Sequence, residues 1–158
     1  MALASGVSAS AAGAAGQAVG RQADGSVVTS TNQRLTPAGQ QVEWRAGRPT
    51  AVTLSPDGTT AAFLNGDGLA GPEVVTVNLA SGAVTNLDPG SEAGSFDGIA
   101  YSPDGATIYA ADAGGTLQVI PASGGQVSSI AMPGSNPDPG GLALSPDGGT
   151  AYVALSRN

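Results

Sequence analysis

Apolar and polar residues alternate along most of the chain, and the tetrapeptide Ser-Pro-Asp-Gly interrupts this alternation three times. Its copies occupy residues 55–58, 102–105 and 145–148. A short alternating run precedes each copy (Val52 and Leu54 before the first), and a second apolar run follows it. Alternation with a period of two is typical of β-strands. In such a turn, Pro fixes φ at the second position and Asp accepts the backbone conformation of the third. Gly, which has no side chain, accepts the conformation that the backbone needs where it leaves the turn. Each copy therefore predicts strand, tight turn, strand.

The copies lie 47 and 43 residues apart, a spacing that indicates repeats of one supersecondary unit. The pattern predicts strands at 50–54, 60–64, 74–79 and 83–87 in the first repeat, at 98–101, 107–111, 116–120 and 126–131 in the second, and at 141–144 and 150–155 in the third. Four antiparallel strands per repeat form the blade of a β-propeller. The predicted fold is all-β: a partial β-propeller with two complete four-stranded blades and part of a third.

The repeats divide the chain into segments. Residues 48–158 hold them, as 48–96, 97–139 and an incomplete 140–158, after an N-terminal β segment at 21–47. Residues 1–20, mostly Ala, Gly and Ser, are predicted to be a disordered leader or the remnant of an export signal. Strands are predicted at 27–31 and 40–44, and the second is the candidate to close a ring of blades. Trp44 is predicted to pack between sheets, with ligand stacking as the alternative.

The amino-acid composition excludes some kinds of binding partner. The 158 residues include 25 Gly and 11 Pro, which suits short strands joined by tight turns. Five basic residues face twelve acidic ones, for a net charge of −7. Such a surface repels polyanions, so no nucleic-acid partner is expected. No apolar run approaches 18 residues, so no membrane span is expected.

The residue types present exclude several reaction classes. The chain has no His, Cys or Lys. It therefore has no Ser-His-Asp or Cys-His system, no ordinary zinc site, no Schiff base and no P-loop lysine. We predict that the chain is not itself an enzyme and has no catalytic residues or cofactor, with Ca²⁺ as the single candidate ion.

Two segments carry a family resemblance. Gly-Ile-Ala-Tyr-Ser-Pro-Asp-Gly at 98–105 and Gly-Leu-Ala-Leu-Ser-Pro-Asp-Gly at 141–148 resemble repeats of the YVTN family, which are WD40-like β-propeller repeats. The resemblance covers residues 48–155. The Tyr-Val-Thr-Asn tetrapeptide is degenerate, reading Ala-Phe-Leu-Asn at 62–65 and Tyr-Ala-Ala-Asp at 109–112. Residues 32–39 resemble the N-terminus of exported family members that carry a phosphoesterase domain. The resemblance implies an exported protein, periplasmic or extracellular.

By analogy with propellers generally, ligands are expected near a central channel, at loops that enter the first strand or leave the second. The candidate ligand-binding residues on these loops are Arg45, Arg48, Glu92, Asp97, Asp112, Asn136 and Asp138. Arg45 and Arg48 form the only close basic pair, suited to a carboxylate or phosphate, or else to loop carbonyls or Glu43. A carboxylate pair for glycoside chemistry is an alternative use of the acidic residues.

Two groups of polar residues remain. Asn65, Asp67 and Glu73 form a loose set of oxygen ligands for Ca²⁺, with a plain polar connection as the alternative. Asp57, Asp104 and Asp147 occupy the repeated turn and are predicted to be structural, since Asp side chains there bond nearby backbone N–H groups.

These observations predict a non-catalytic scaffold or binding segment of an exported β-propeller protein. The alternatives are the N-terminal part of a larger hydrolase, phosphoesterase-like or lactonase-like, with catalytic residues outside this chain, and a structural surface-assembly module. Propellers close with about four to eight blades. Two and a half repeats therefore predict either a fragment of a longer protein or copies that self-associate to close a ring.

Overall fold

The computed structural model describes residues 18–44, 48–66, 73–87 and 98–156. The chain divides into two compact units, Met1–Val42 and Glu43–Asn158. Within the described residues every regular element is a β-strand, and the strands form four antiparallel sheets. The predicted all-β class is confirmed. No helix in these ranges is long and apolar enough to cross a bilayer.

The first unit contains a small three-stranded sheet. Its strands are β1 (Gly20–Arg21), β2 (Val27–Val28) and β3 (Arg34–Leu35), in that spatial order. The turn between β1 and β2 is held by Asp24, whose Oδ1 accepts hydrogen bonds from Oγ of Ser26 (2.6 Å) and from its backbone N (3.1 Å). These bonds, with the nearby Arg34 guanidinium, lower the pKa of Asp24.

The second unit contains the repeats. Its first sheet consists of β4 (Arg48–Leu54), β5 (Thr60–Gly66), β6 (Glu73–Asn78) and β7 (Val84–Leu87). The second sheet consists of β8 (Ile99–Tyr101), β9 (Thr107–Asp112), β10 (Thr116–Pro121) and β11 (Ser128–Ala131), and the third of β12 (Pro139–Leu144) and β13 (Ala151–Leu155). In each sheet the strands lie in sequence order. These strands lie where the repeat pattern predicts them.

A hydrophobic core fills the space between the first and second sheets. Side chains of β5, β6 and β7 pack against side chains of β8, β9 and β10; the buried members are Ala62, Leu64, Val74, Leu87, Ile99, Ile108, Ala110 and Ile120. Strand β8 contacts both β4 and β12. The first strand of each sheet therefore lies beside the first strand of the next sheet.

The strand predicted at 40–44 is not formed. Residues 40–44 have no strand conformation and no ladder partner among the described residues. The Trp44 ring instead packs on the Phe63 ring of β5, with centroids 5.1 Å apart and planes tilted by 40°. An alternating pattern makes a strand only where a neighbouring strand accepts its backbone hydrogen bonds. The prediction of a strand at 40–44 is therefore wrong, whereas Trp44 does pack against a sheet. The strand predicted at 27–31 is shorter, Val27–Val28.

Candidate functional site

The sheets of the second unit have two distinct ends. The Ser-Pro-Asp-Gly turns, which join the first strand of each sheet to the second, lie at one end, termed the turn end. Because the strands are antiparallel, the opposite end carries the start of each first strand and the close of each second strand. We term this the loop end. It carries the described candidate residues: Arg48 begins β4, Asn65 lies near the end of β5, Asp112 ends β9, and Asn136 and Asp138 precede β12.

At the turn end, the three tetrapeptides share one hydrogen-bond pattern. In the second, Ser102 Oγ donates to Asp104 Oδ1 (2.5 Å), Thr107 N donates to Ser102 Oγ (2.9 Å), and Ala106 N donates to Asp104 Oδ1 (3.0 Å). The equivalent bonds recur in the other two copies within 0.1 Å. The bond from the Ser hydroxyl, and then the backbone N–H bond, lower the pKa of each turn Asp. The geometry agrees with a structural role for these acids.

At the loop end, Asp112 is buried and held by several hydrogen bonds. Its side chain is 6% exposed, and Oδ1 accepts a hydrogen bond from Gly114 N (2.8 Å). Its Oδ2 accepts from Nε2 of Gln118 (2.9 Å), and Gln118 also donates to Thr116 Oγ1 (2.9 Å). The carboxylate thus closes the β9–β10 turn and joins two neighbouring strands. Hydrogen bonds of this kind compensate the cost of burying a carboxylate.

Asn65 occupies the equivalent position in the first sheet. Asn65 pairs with the first residue of β6, as Asp112 pairs with the first residue of β10. Asn65 is fully buried, and within the described part of the chain its Oδ1 and Nδ2 have no hydrogen-bond partner. Register explains this: Val75 pairs with Phe63 at the place where Gln118 pairs with Ala110. The first sheet therefore has Asn65 at the place of Asp112 but no polar side chain at the place of Gln118.

Asn136 and Asp138 lie close to the turn that Asp112 holds. A Cβ added to Gly115, in that turn, would lie 3.0 Å from Cγ of Pro137. Asn136 is exposed, while Asp138 is half-buried and accepts a 2.7 Å hydrogen bond at Oδ2 from Ser156 Oγ. The structure thus brings the segment 136–138 beside the β9–β10 turn.

The remaining candidates are described in part or not at all. Arg45, Asp67, Glu92 and Asp97 lie outside the described residues, and only the backbone of Glu73 is described. The basic pair with exposed Arg48, the carboxylate pair and the Ca²⁺ set of Asn65, Asp67 and Glu73 therefore stay predictions. Among the side chains that are described, no three of His, Cys, Asp and Glu lie close enough together to hold a metal ion.

Sequence reasoning missed three residues of the loop end. Thr116 and Gln118 are polar at alternate positions of β10, so they share one face, and that face meets Asp112. This alternation of polar residues is visible in the sequence and could have indicated both side chains. Ser156, which binds Asp138, follows the last strand and has small apolar residues at the equivalent positions of the other repeats, so no pattern indicated it.

A cavity of about 280 Å³ lies at the turn end, between the first two tetrapeptides. Its lining includes Asp57, Asp104 and Tyr101. Burial, and then the negative charge of Asp57, raise the pKa of the Tyr101 hydroxyl, which keeps it protonated. This cavity is separate from the predicted site, because it lies at the opposite end of the sheets. The carboxylates of Asp57 and Asp104 in its lining accept hydrogen bonds within the turns themselves.

The fold is similar to that of known protein structures. The chain is similar to the solved structure described as Kuenenia stuttgartiensis Hydrazine Synthase, with a TM-score of 0.59 and 30% sequence identity. The similarity covers 75% of this chain and 32% of that chain. This chain thus spans about a third of the length of its relative. No family model and no curated protein matches it. The similarity supports a β-rich fold, and membership of the YVTN family stays a prediction.

Proposed function

We propose that the second unit is a partial β-propeller of YVTN type, in which each four-stranded sheet is a blade and β12–β13 begin a third. Three observations support this. The strands of each sheet lie in sequence order, the three turns have the same geometry, and the first strands of successive sheets lie side by side. The residues that resemble the YVTN repeat are the ones that build these turns.

We propose further that this framework binds a ligand or partner at the loop end and has no catalytic role. The observation that carries the proposal is the equivalence of Asn65 and Asp112. Each is a buried polar side chain at the close of the second strand of its sheet. Loops on a rigid sheet are common carriers of binding residues. In this arrangement the exposed Asn136, on the neighbouring loop, makes the contact, and the buried residues hold the loops in place.

Two points favour binding over chemistry. The sequence contains no His, Cys or Lys to act as a base or nucleophile near neutral pH. The carboxylates of five described residues are engaged in turn and loop hydrogen bonds, namely Asp57, Asp104, Asp112, Asp138 and Asp147. The resemblance to exported propellers and the small-residue leader at 1–20 support an exported location.

A second candidate function is favoured by one observation. The relative is described as a synthase, and this chain matches about a third of it. The fold would then serve as one part of a larger enzyme, with catalytic residues outside these 158. The hydrolase and surface-assembly alternatives rest on the sequence alone.

The binding proposal is tested with the chain as it stands. We expect that ¹⁵N-labelled protein titrated separately with Ca²⁺, inorganic phosphate and short peptides shows amide shifts grouped around Asp112, Asn136 and Asp138. The variant Asn136→Ala should weaken the response, and Asp104→Asn, at the turn end, should not. Turnover of nitrophenyl ester or phosphodiester substrates by purified protein would contradict the non-catalytic proposal. Shifts confined to Asp57 and Asp104 would contradict the loop-end site.

A further inference from the structure

The turn-end cavity of about 280 Å³ lies between the first and the second sheet, and each sheet with its turn forms one wall. Both sheets have four strands, so both walls are formed within this chain. Asp57 and Thr60 line the cavity from the first sheet, and Tyr101, Asp104 and Ala122 line it from the second. The cavity therefore presents a carboxylate on each of two opposed walls and a tyrosine on one of them.

Tyr101 supplies an unused polar group to this cavity. Its ring is half-buried and packs against the core between the two sheets. Its hydroxyl is close enough to Asp57 for that negative charge to raise its pKa, after the larger effect of burial. Among the described residues this hydroxyl has no hydrogen-bond partner. Leu144 stands at the equivalent position before the third turn, so the hydroxyl belongs to this junction alone among the three turns.

The two carboxylates keep acceptor capacity beyond their role in the turns. Asp104 uses Oδ1 for both of its turn bonds, from Ser102 Oγ and Ala106 N, and no described group donates to its Oδ2. Asp57 Oδ2 accepts one bond, from Thr59 Oγ1 (3.0 Å). Because each carboxylate oxygen has two lone pairs, both acids can accept further hydrogen bonds from a ligand. Both side chains are exposed, so a ligand can reach them from solvent.

The charge and the lining of the cavity define the class of ligand. The one described basic residue of the second unit, Arg48, begins β4 at the opposite end of the sheets, so the two negative charges call for an external cation. Ca²⁺ takes six to eight oxygen ligands, and no three acidic side chains of the described residues lie close enough together to hold a metal ion. Part of the lining is apolar, since the ring of Pro56 lies beside Gly105 and both border the cavity. These features fit an organic cation.

We propose that the turn-end cavity binds a guanidinium group, carried by a small guanidine compound or by an arginine side chain of a peptide. A guanidinium is planar and has N–H donors on all three nitrogens, so it can donate to Asp57 and Asp104 on opposed walls at once. It is also more weakly hydrated than an ammonium, which suits the apolar part of the lining. A water molecule occupies about 30 Å³, so the cavity has room for the group and its alkyl stem. This second site does not depend on the loop-end site of the proposed function.

Amide shifts of ¹⁵N-labelled protein test the proposal, with N-acetyl-arginine amide as the probe. We expect saturable shifts grouped around Asp57, Tyr101 and Gly105. N-acetyl-citrulline amide has the same shape without the charge and should cause none of them. N-acetyl-lysine amide at equal ionic strength should bind more weakly, because its ammonium is strongly hydrated. The peptide Gly-Gly-Arg-Gly-Gly separates the two sources: tighter binding than the single residue identifies peptide arginine, and equal binding identifies a small guanidine compound.

Variants assign the binding to the cavity. Asp57→Asn and Asp104→Asn should each weaken binding of the arginine probe about tenfold or more, because each loses a charged acceptor. Tyr101→Phe keeps the ring and removes the hydroxyl, so it should weaken binding as well. Asp147→Asn is the matched control, since Asp147 makes the same bonds in the third turn and does not line the cavity. This variant should bind like wild type, and circular dichroism checks that each variant is folded.

Several results would overturn the inference. These are an absence of shifts around the cavity up to the solubility limit of the probe, an equal response to the citrulline compound, and equally tight binding of the lysine compound or of Ca²⁺. The same weakening in Asp147→Asn as in Asp104→Asn would also overturn it, because the effect would then belong to the turns in general. The amides of Asp112 and Asn136 report on the loop end separately, so failure of either site is read without the other.

Discussion

Gly148 lies against the ring of Pro103, so close that a Cβ added to Gly148 would be 3.0 Å from Cδ of that ring. Gly105 approaches Pro56 in the same way, at 3.3 Å. The glycine that ends the second and the third tetrapeptide therefore has two constraints. Its backbone has a positive φ of 69–73°, which side chains disfavour, and its open side receives the preceding proline. The turn thus serves both its own hairpin and the junction between sheets.

Replacing each turn glycine by Ala separates these two constraints. All three variants should lose about 1–2 kcal/mol of stability, because the left-handed conformation is costly for a residue with a Cβ. Gly148→Ala should lose most and Gly105→Ala next, because their Cβ atoms meet a proline. Gly58→Ala is the control without that contact. Thermal unfolding at concentrations where the protein is monomeric provides the measurement, and equal losses for all three would contradict the junction contact.

The strands could be predicted because their signals are local. The three tetrapeptides fix where each hairpin turns, and alternation on either side sets which residues share a face. The junction between Pro103 and Gly148 could not be predicted, since it joins separate turns and depends on how the sheets stack. The same limit explains the error at 40–44, where the residues alternate but no described strand lies beside them.

The candidate site could be predicted from the sequence to a similar extent. Asp112 was identified because it follows a predicted strand. Its link to Gln118 depends on the register between β9 and β10, and the unpartnered state of Asn65 depends on Val75 at the corresponding place in β6. Residue type indicates which groups are polar, whereas cross-strand register decides which of them find partners.

Acid should destabilise the second unit through its turns. Hydrogen bonds lower the folded-state pKa of Asp57, Asp104 and Asp147 below the usual 3.8. The unfolded chain then binds protons first, so the stability these groups contribute is present above pH 3.8 and is lost as pH falls through the lowered pKa values.

The triple variant Asp57→Asn/Asp104→Asn/Asp147→Asn tests this titration. Asn keeps an acceptor oxygen but does not titrate, so the variant should lose less stability between neutral and acidic pH than wild type. Urea unfolding at a series of pH values measures the difference. Identical pH profiles for the two proteins would show that the turns do not carry this dependence.

The bond between Gln118 and Asp112 should matter for stability. Gln118→Val gives β10 the residue type that β6 has at the equivalent position, Val75, and removes one donor to the Asp112 carboxylate. We expect a loss of about 1–3 kcal/mol, the usual cost of removing a partner from a buried charged group. Chemical denaturation measures it.

The conservative change Gln118→Glu would place a second carboxylate beside Asp112. It should reduce the stability of the protein more at neutral pH than at acidic pH, which a packing defect would not reproduce.

Asn65 should be replaceable with a gain in stability. Its amide is fully buried, and within the described residues it has no partner, so Asn65→Leu removes an uncompensated desolvation cost of about 1–3 kcal/mol with a side chain of the same branched shape. Leu155 holds the equivalent place in the third sheet. Asp112→Leu is the matched control in the second sheet. It should destabilise the protein, because it leaves the Gln118 amide and the Gly114 N–H without their acceptor. Chemical denaturation distinguishes the two variants. A loss of stability in Asn65→Leu would contradict the prediction and indicate that a bound water or ion serves the amide.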